Sequence, residues 1–261
     1  MTRAGLVLLT VAAVTTTAGI GCGSSDSDVD VDAPSGTVLV AAAASLTDVI
    51  EELATRFEAR YPDVDVEVSV GGSSSLAFSI EEGAPIDVFA SANEDVMERL
   101  VELGAIDDDA TTGPIVFATN TIVIAVPAGG DEVQSIADFE RADLLLGACA
   151  SQVPCGSYAD ELFARAGVDP SLDTRDGDVR ALVTKLVEAE LDGGIVYRSD
   201  VVAFADDLDE VVVPAELEVV ARYPVAITAE APNPTAAAEF ARFLTGADAA
   251  DVLQRSGFGT P

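Results

Sequence analysis

Residues 37–53 read TVLVAAAASLTDVIEEL, and the change of pattern inside this stretch decides the fold. An apolar run comes first, then small residues, then Ser45. Beyond the serine, Leu46, Val49, Ile50, Leu53 and Phe57 recur at helical spacing. Ser45 stands where an N-cap belongs, and Asp48 three residues later completes a Ser-x-x-Asp capping pattern. The expected unit is strand, tight turn, helix. A helix start carries free backbone N–H groups and a partial positive charge, and with a serine hydroxyl beside them it suits an anion. Taken alone, the stretch is better read as an ordinary strand-to-helix junction.

The same alternation continues downstream. Val64, Val66, Val68 and Val70 alternate strictly, which predicts a strand. Gly71-Gly72 and three serines break it, and a short helix runs on to Gly83. Further strands are expected at 86–90, 121–127, 144–149, 194–197 and 217–228. Helices are expected at 94–103, 157–166, just after Asp178, at 235–244 and at 247–255, with a small one opened by Ser135. Alternating strands and helices predict an α/β fold with mostly parallel sheets flanked by helices. The number of units in 261 residues points to two lobes rather than one continuous sheet.

Composition excludes several functions. Acidic residues number 46 against 13 basic ones, for a formal charge of −33. Such a surface suits neither a nucleic-acid backbone nor an anionic membrane surface. The absence of histidine removes Ser-His-Asp and Cys-His catalysis and His-ligated metal sites. Ser45 and Ser73 have no lysine near them in sequence either, so a serine hydrolase is not expected. Neither a cofactor nor a bare metal cation is expected.

Residues 1–21 read as an export signal: Arg3 gives a positive start, and residues 4–14 form an apolar stretch too short to span a bilayer comfortably. The ending Gly19-Ile20-Gly21-Cys22 resembles a bacterial lipoprotein signal, apart from Gly19 where an aliphatic residue is usual. That resemblance implies lipidation of Cys22 and an anchored chain outside the cytoplasmic membrane, in a periplasm or at a cell surface. Residues 22–36 then form an acidic, disordered tether.

The helix starts at Ser45, Ser73, Cys155-Gly156 and Asp178-Val179 share one character. A cleft between two lobes would bring them to one point, presenting hydroxyls and N–H groups with no cationic side chain. Such a pocket favours a fully deprotonated oxyanion, which offers only acceptors. A protonated one, such as hydrogen phosphate, would leave its O–H unpaired at roughly 1–3 kcal/mol. Asp178 would defeat this selectivity if it entered the pocket; its carboxylate is expected to cap its own helix instead.

The motifs AAASLTD (42–48), GSSSLAFSIEEGAPIDVFASA (72–92), VPCGSYA (153–159), DVRALV (178–183), GIVYRSD (194–200) and YPVAI (223–227), with Gly257-Phe258 near the end, carry a family resemblance. The chain resembles the bacterial molybdate-binding proteins (ModA) of ABC importers from residue 37 onward. The resemblance implies a two-lobed type II periplasmic-binding-protein fold hinged by two crossovers. Lobe 1 would hold residues 37–118 plus 223–261, and lobe 2 residues 119–222. It implies a monomer that binds molybdate, and tungstate with it, between the lobes and delivers it to a membrane permease and its ATPase. The oxyanion would be held by Ser45 and Ser73, by the backbone at Cys155 and Val179, and by the Tyr197 hydroxyl. Three serines run together, so Ser74 competes with Ser73 for that place. Cys155 stands where the family more often has alanine, a change that a backbone contact tolerates. In an exported domain, Cys149 and Cys155 around the loop proline are read as a disulfide, the alternative being two reduced buried thiols. A receptor for sulfate or another tetrahedral oxyanion is the competing function.

Overall fold

The computed structural model describes residues 33–109 and 113–261. The signal, Cys22 and the tether up to residue 32 lie outside the described residues. In chain order the structure runs β1 (Gly36–Ala43), α1 (Thr47–Arg60), β2 (Val64–Gly71), α2 (Ser73–Glu81), β3 (Val88–Ala90), α3 (Glu94–Glu102) and β4 (Ile115–Pro127). It continues with β5 (Leu146–Cys149), α4 (Pro154–Ala166), β6 (Thr174–Asp176), α5 (Val179–Val187), β7 (Gly193–Tyr197), α6 (Arg198–Ala203) and β8 (Leu208–Val211). Strand β9 (Val220–Ile227) and helices α7 (Pro234–Leu244) and α8 (Ala247–Arg255) close the chain.

Strand β1 lies parallel between β2 and β3, with Val38 opposite Val66 and Val40 opposite both Val68 and Val88. Strand β9 runs antiparallel to β3 and then to the first half of β4. The second half of β4 pairs antiparallel with β7 and β8, and β5 lies parallel between β7 and β6. All nine strands join in one continuous sheet, in the order β2-β1-β3-β9-β4-β7-β5-β6 with β8 beside β4, where no continuous sheet was expected. Its two helix-covered ends form two α/β layers, and β4 runs from one into the other. This is the mixed, helix-flanked architecture of the type II binding-protein fold. The boundaries expected at 118/119 and 222/223 fall inside β4 and β9, not in loops.

Packing follows the patterns in the sequence. Val49, Ile50, Leu53 and Phe57 of α1 are buried, and the Phe57 ring meets Phe240 and Phe243 of α7 at 5.1 and 5.5 Å. On the opposite face of that sheet, Ala77, Ile80, Met97 and Leu100 of α2 and α3 cover Phe89. The fully buried Asp87 ties these parts together, accepting from the N–H of Leu39 at 2.8 Å and of Asn233, which caps α7, at 2.5 Å. A buried carboxylate is tolerated when backbone donors replace water around it.

Several elements differ from expectation. The strand predicted at 121–127 begins at Ile115. Thr119, Asn120 and Thr121 interrupt its apolar run, but pairing with β9 carries through them, and the buried Asn120 amide donates to Ser199 Oγ at 2.8 Å. The strand predicted from residue 217 begins at Val220, because residues 215–217 form a 3-10 turn. Helix α4 starts at Pro154 rather than Ser157, with the proline at a position where a missing N–H costs nothing.

Candidate functional site

A small cavity of about 20 Å³ lies beyond the carboxyl ends of parallel strands from both layers. That is where open α/β sheets place their ligands. From the first layer, β1 leads to Ser45, β2 to Gly72 and Ser73, and β3 to Ala92. From the second, β5 leads to the α4 start at Cys155, β6 to the α5 start at Val179, and β7 ends on Tyr197. Ser45, Ser73, Cys155, Val179 and Tyr197, which are far apart in sequence, therefore line one cavity. Among the described residues no lysine or arginine lines it.

Ser45 corrects one expectation. It is not an N-cap: it sits in a 3-10 turn spanning Ala44–Leu46, and the N-cap of α1 is Leu46, without a side-chain cap. Asp48 forms no capping box there; its carboxylate pairs with Arg180. The Ser45 hydroxyl instead lies 2.9 Å from the hydroxyl of Tyr223, a fully buried residue of β9. Burial raises the Tyr223 phenol far above its ordinary range, so it stays protonated. When Tyr223 donates to Ser45 Oγ, the serine proton is free to point into the cavity. Tyr223 belongs to the YPVAI motif, but its pairing with Ser45 spans 178 residues and has no local signal.

Ser73 Oγ accepts from the Ala92 N–H at 3.0 Å, which also leaves its proton for the cavity. Ser74 turns away and donates to the Gln152 carbonyl at 2.9 Å. Ser73 is thus the serine of the run that faces the space. At the α4 start, Cys155 is disulfide-bonded to Cys149. Gly156 behind it is a close-approach position, since a Cβ there would lie 1.9 Å from the Ala150 carbonyl oxygen. The Asp178 carboxylate caps its own helix, accepting from the Ala181 N–H at 3.0 Å, but Asp178 also lines the cavity, so the wall is not made of donors alone.

Tyr197 is buried in the wall, and its hydroxyl has no hydrogen-bond partner among the described residues. Burial, reinforced by the neighbouring Tyr223, raises its phenol well above the ordinary value, so it too remains a donor. Behind it, Asp200 Oδ2 accepts from the Tyr197 N–H at 3.1 Å and fixes where the ring begins. Among the described residues the cavity presents hydroxyls and helix starts, with Asp178 engaged in its own cap, and no nucleophile–base pair. It can hold a compact anion; it has no machinery for acid–base chemistry.

Residues 38–259 match the family described as bacterial extracellular solute-binding protein, and the chain belongs to it. It is a family of binding proteins, not enzymes. The ModA molybdate-binding protein of Mycobacterium tuberculosis (strain ATCC 25618 / H37Rv) is 32% identical over 226 residues, covering 86% of this chain and 85% of that one. The resemblance carried by the motifs is therefore sustained across the folded region. Among solved structures, the periplasmic molybdate-binding protein of Azotobacter vinelandii superposes with a TM-score of 0.75 at 19% identity, covering 86% of this chain and 99% of the other. The sulfate-binding protein SubI of Mycobacterium tuberculosis H37Rv gives a TM-score of 0.76 at 20% identity, over 85% and 86% of the two chains. Both share the fold.

Proposed function

We propose that this chain is the extracytoplasmic receptor of an ABC importer, capturing molybdate, and tungstate with it, in the cavity between the lobes. It then passes the ion to a membrane permease driven by an ATPase, while a lipid on Cys22 keeps it at the membrane. The identity with ModA proteins supports the ligand. Residues 37–118 plus 223–261 and residues 119–222 act as the two bodies that close on it. The donors are the hydroxyls of Ser45, Ser73 and Tyr197 and the backbone N–H groups at Cys155 and Val179.

One observation carries this reading. The Tyr197 hydroxyl is a buried donor with no hydrogen-bond partner among the described residues, in a cavity lined by the Ser45 and Ser73 hydroxyls and two helix starts, with Asp178, whose carboxylate is engaged by the Ala181 N–H, at its edge. A buried unpaired hydroxyl costs roughly 1–3 kcal/mol, which a bound acceptor recovers. An oxyanion with no proton satisfies such donors, whereas the proton of hydrogen phosphate has only the Asp178 carboxylate, already accepting from the Ala181 N–H, to meet.

Calorimetric titration with molybdate, tungstate, sulfate and phosphate tests the reading. Molybdate and tungstate are expected to bind tightly, sulfate weakly and phosphate not at all. Tyr197→Phe is expected to weaken molybdate about ten- to hundredfold while leaving the ligand-free melting temperature unchanged or higher. Tight sulfate binding without molybdate binding would make the chain a sulfate receptor. Unchanged affinity in Tyr197→Phe would remove the tyrosine from the site.

A further inference from the structure

Arg180 follows Val179 at the α5 start, yet its side chain leaves the cavity wall and crosses to the other layer. Its Nε donates to the Ala44 carbonyl at 3.3 Å, and its guanidinium pairs with Asp48. Ala44 opens the 3-10 turn that presents Ser45. On its own side of the cleft, the guanidinium carbon lies 5.1 Å from the centroid of the Phe204 ring, and Nε lies 3.9 Å from Asp200 Oδ1. That oxygen is buried with no hydrogen-bond partner among the described residues, while the other oxygen of Asp200 holds the Tyr197 N–H. One side chain thus touches the turn of Ser45, belongs to the helix start of Val179, and stands beside the carboxylate that seats Tyr197.

We propose that Arg180 is the positioning residue of this cavity, clamping its two walls together and so setting how long a bound oxyanion stays. The proposal rests on the reading of the cavity as an oxyanion site. Arg180 does not touch the ligand. The physical case is the fork of the guanidinium: separate N–H groups reach a carbonyl and a carboxylate while the flat face stacks on a ring, which a lysine ammonium cannot reproduce. The Asp48 pair alone would contribute little, since Asp48 is 61% exposed. The contact with Ala44 and the seat against Phe204 and Asp200 are shielded, the Arg180 side chain being 22% exposed. An interaction made only when the walls meet slows opening, so its loss appears in dissociation rather than association.

The test measures dissociation of radiolabelled molybdate chased with unlabelled ion, together with hydrogen exchange of the ligand-free chain. Arg180→Gln is expected to speed dissociation by about tenfold or more, with association within about threefold of the parent. Arg180→Lys is expected to recover only part of this, and Asp48→Asn to stay near the parent. In the ligand-free chain, Arg180→Gln is expected to speed exchange at residues 45–50 and 179–184 and not at residues 53–60. A parental dissociation rate in Arg180→Gln, or full recovery in Arg180→Lys, overturns the clamp. If the parent binds no oxyanion, the functional reading fails by itself. Exchange then decides the clamp: faster at both rims in Arg180→Gln supports it, and unchanged rims refute it.

Discussion

Asp200 is a carboxylate with no exposure, and its carboxyl is pushed up to about 7. Burial is the main cause; Arg180 and the Tyr197 N–H pull the other way, and Asp48 and Asp178 add to the rise. The sign for stability follows. A folded-state value raised above the unfolded one means the native chain holds the extra proton, so stability falls as pH rises from about 4 to about 7. Asp200→Asn keeps an acceptor for Tyr197 and removes the titration. Its stability advantage over the parent is expected to grow across that window, to the order of a few kcal/mol at pH 8, by denaturant melts at each pH. A difference independent of pH would show that Asp200 does not titrate there. Ser45 shows what residue spacing cannot settle. Its place before a helix pattern reads as a cap, but cap and 3-10 turn differ only in local backbone angles, and in the turn its hydroxyl meets Tyr223 on a distant strand instead of a helix N–H.

At the scale of elements, the α4 start is built for rigidity. The disulfide from Cys149 closes a loop with a sequence separation of 6, and Gly156 lets the Ala150 carbonyl approach the helix start. Replacing both cysteines by serine is expected to cost about 2 kcal/mol, lowering the melting temperature by about 4–8 °C, and to weaken oxyanion binding through a looser Cys155 N–H. Calorimetry of parent and variant checks both effects; equal melting temperatures would show that the bridge constrains nothing. Elements with strong periods, such as α1, α7 and α8, were legible as they stand. The short elements β6, α6 and β8 have too few residues to show a period, and neighbouring strands and helices hold them.

For the whole molecule, charge and ligand are opposed. A net charge of −33 repels an incoming anion, while the donors act only inside the cavity. The Debye length is about 8 Å at physiological salt, so added salt screens the surface before it weakens the site. Association of molybdate is therefore expected to speed up as salt rises from about 20 mM to about 0.5 M, the reverse of a steered encounter. Stopped-flow mixing over that range measures it, and a flat profile would mean that surface repulsion does not govern entry.

The sequence by itself determined the alternation of strands and helices, the helix starts near Ser73, Cys155 and Val179, and the exclusion of histidine chemistry. Each of these is local: a period, a cap residue or a count is complete within a few turns of chain. Tertiary structure alone decided which serine of the run at 73–75 faces the cavity, that Tyr223 supports Ser45, and that Arg180 crosses the cleft. Those are contacts between residues 19 to 178 positions apart, and no spacing along the chain encodes them. Only the fold brings Ser45, beyond β1, and Val179, beyond β6, to line the same cavity.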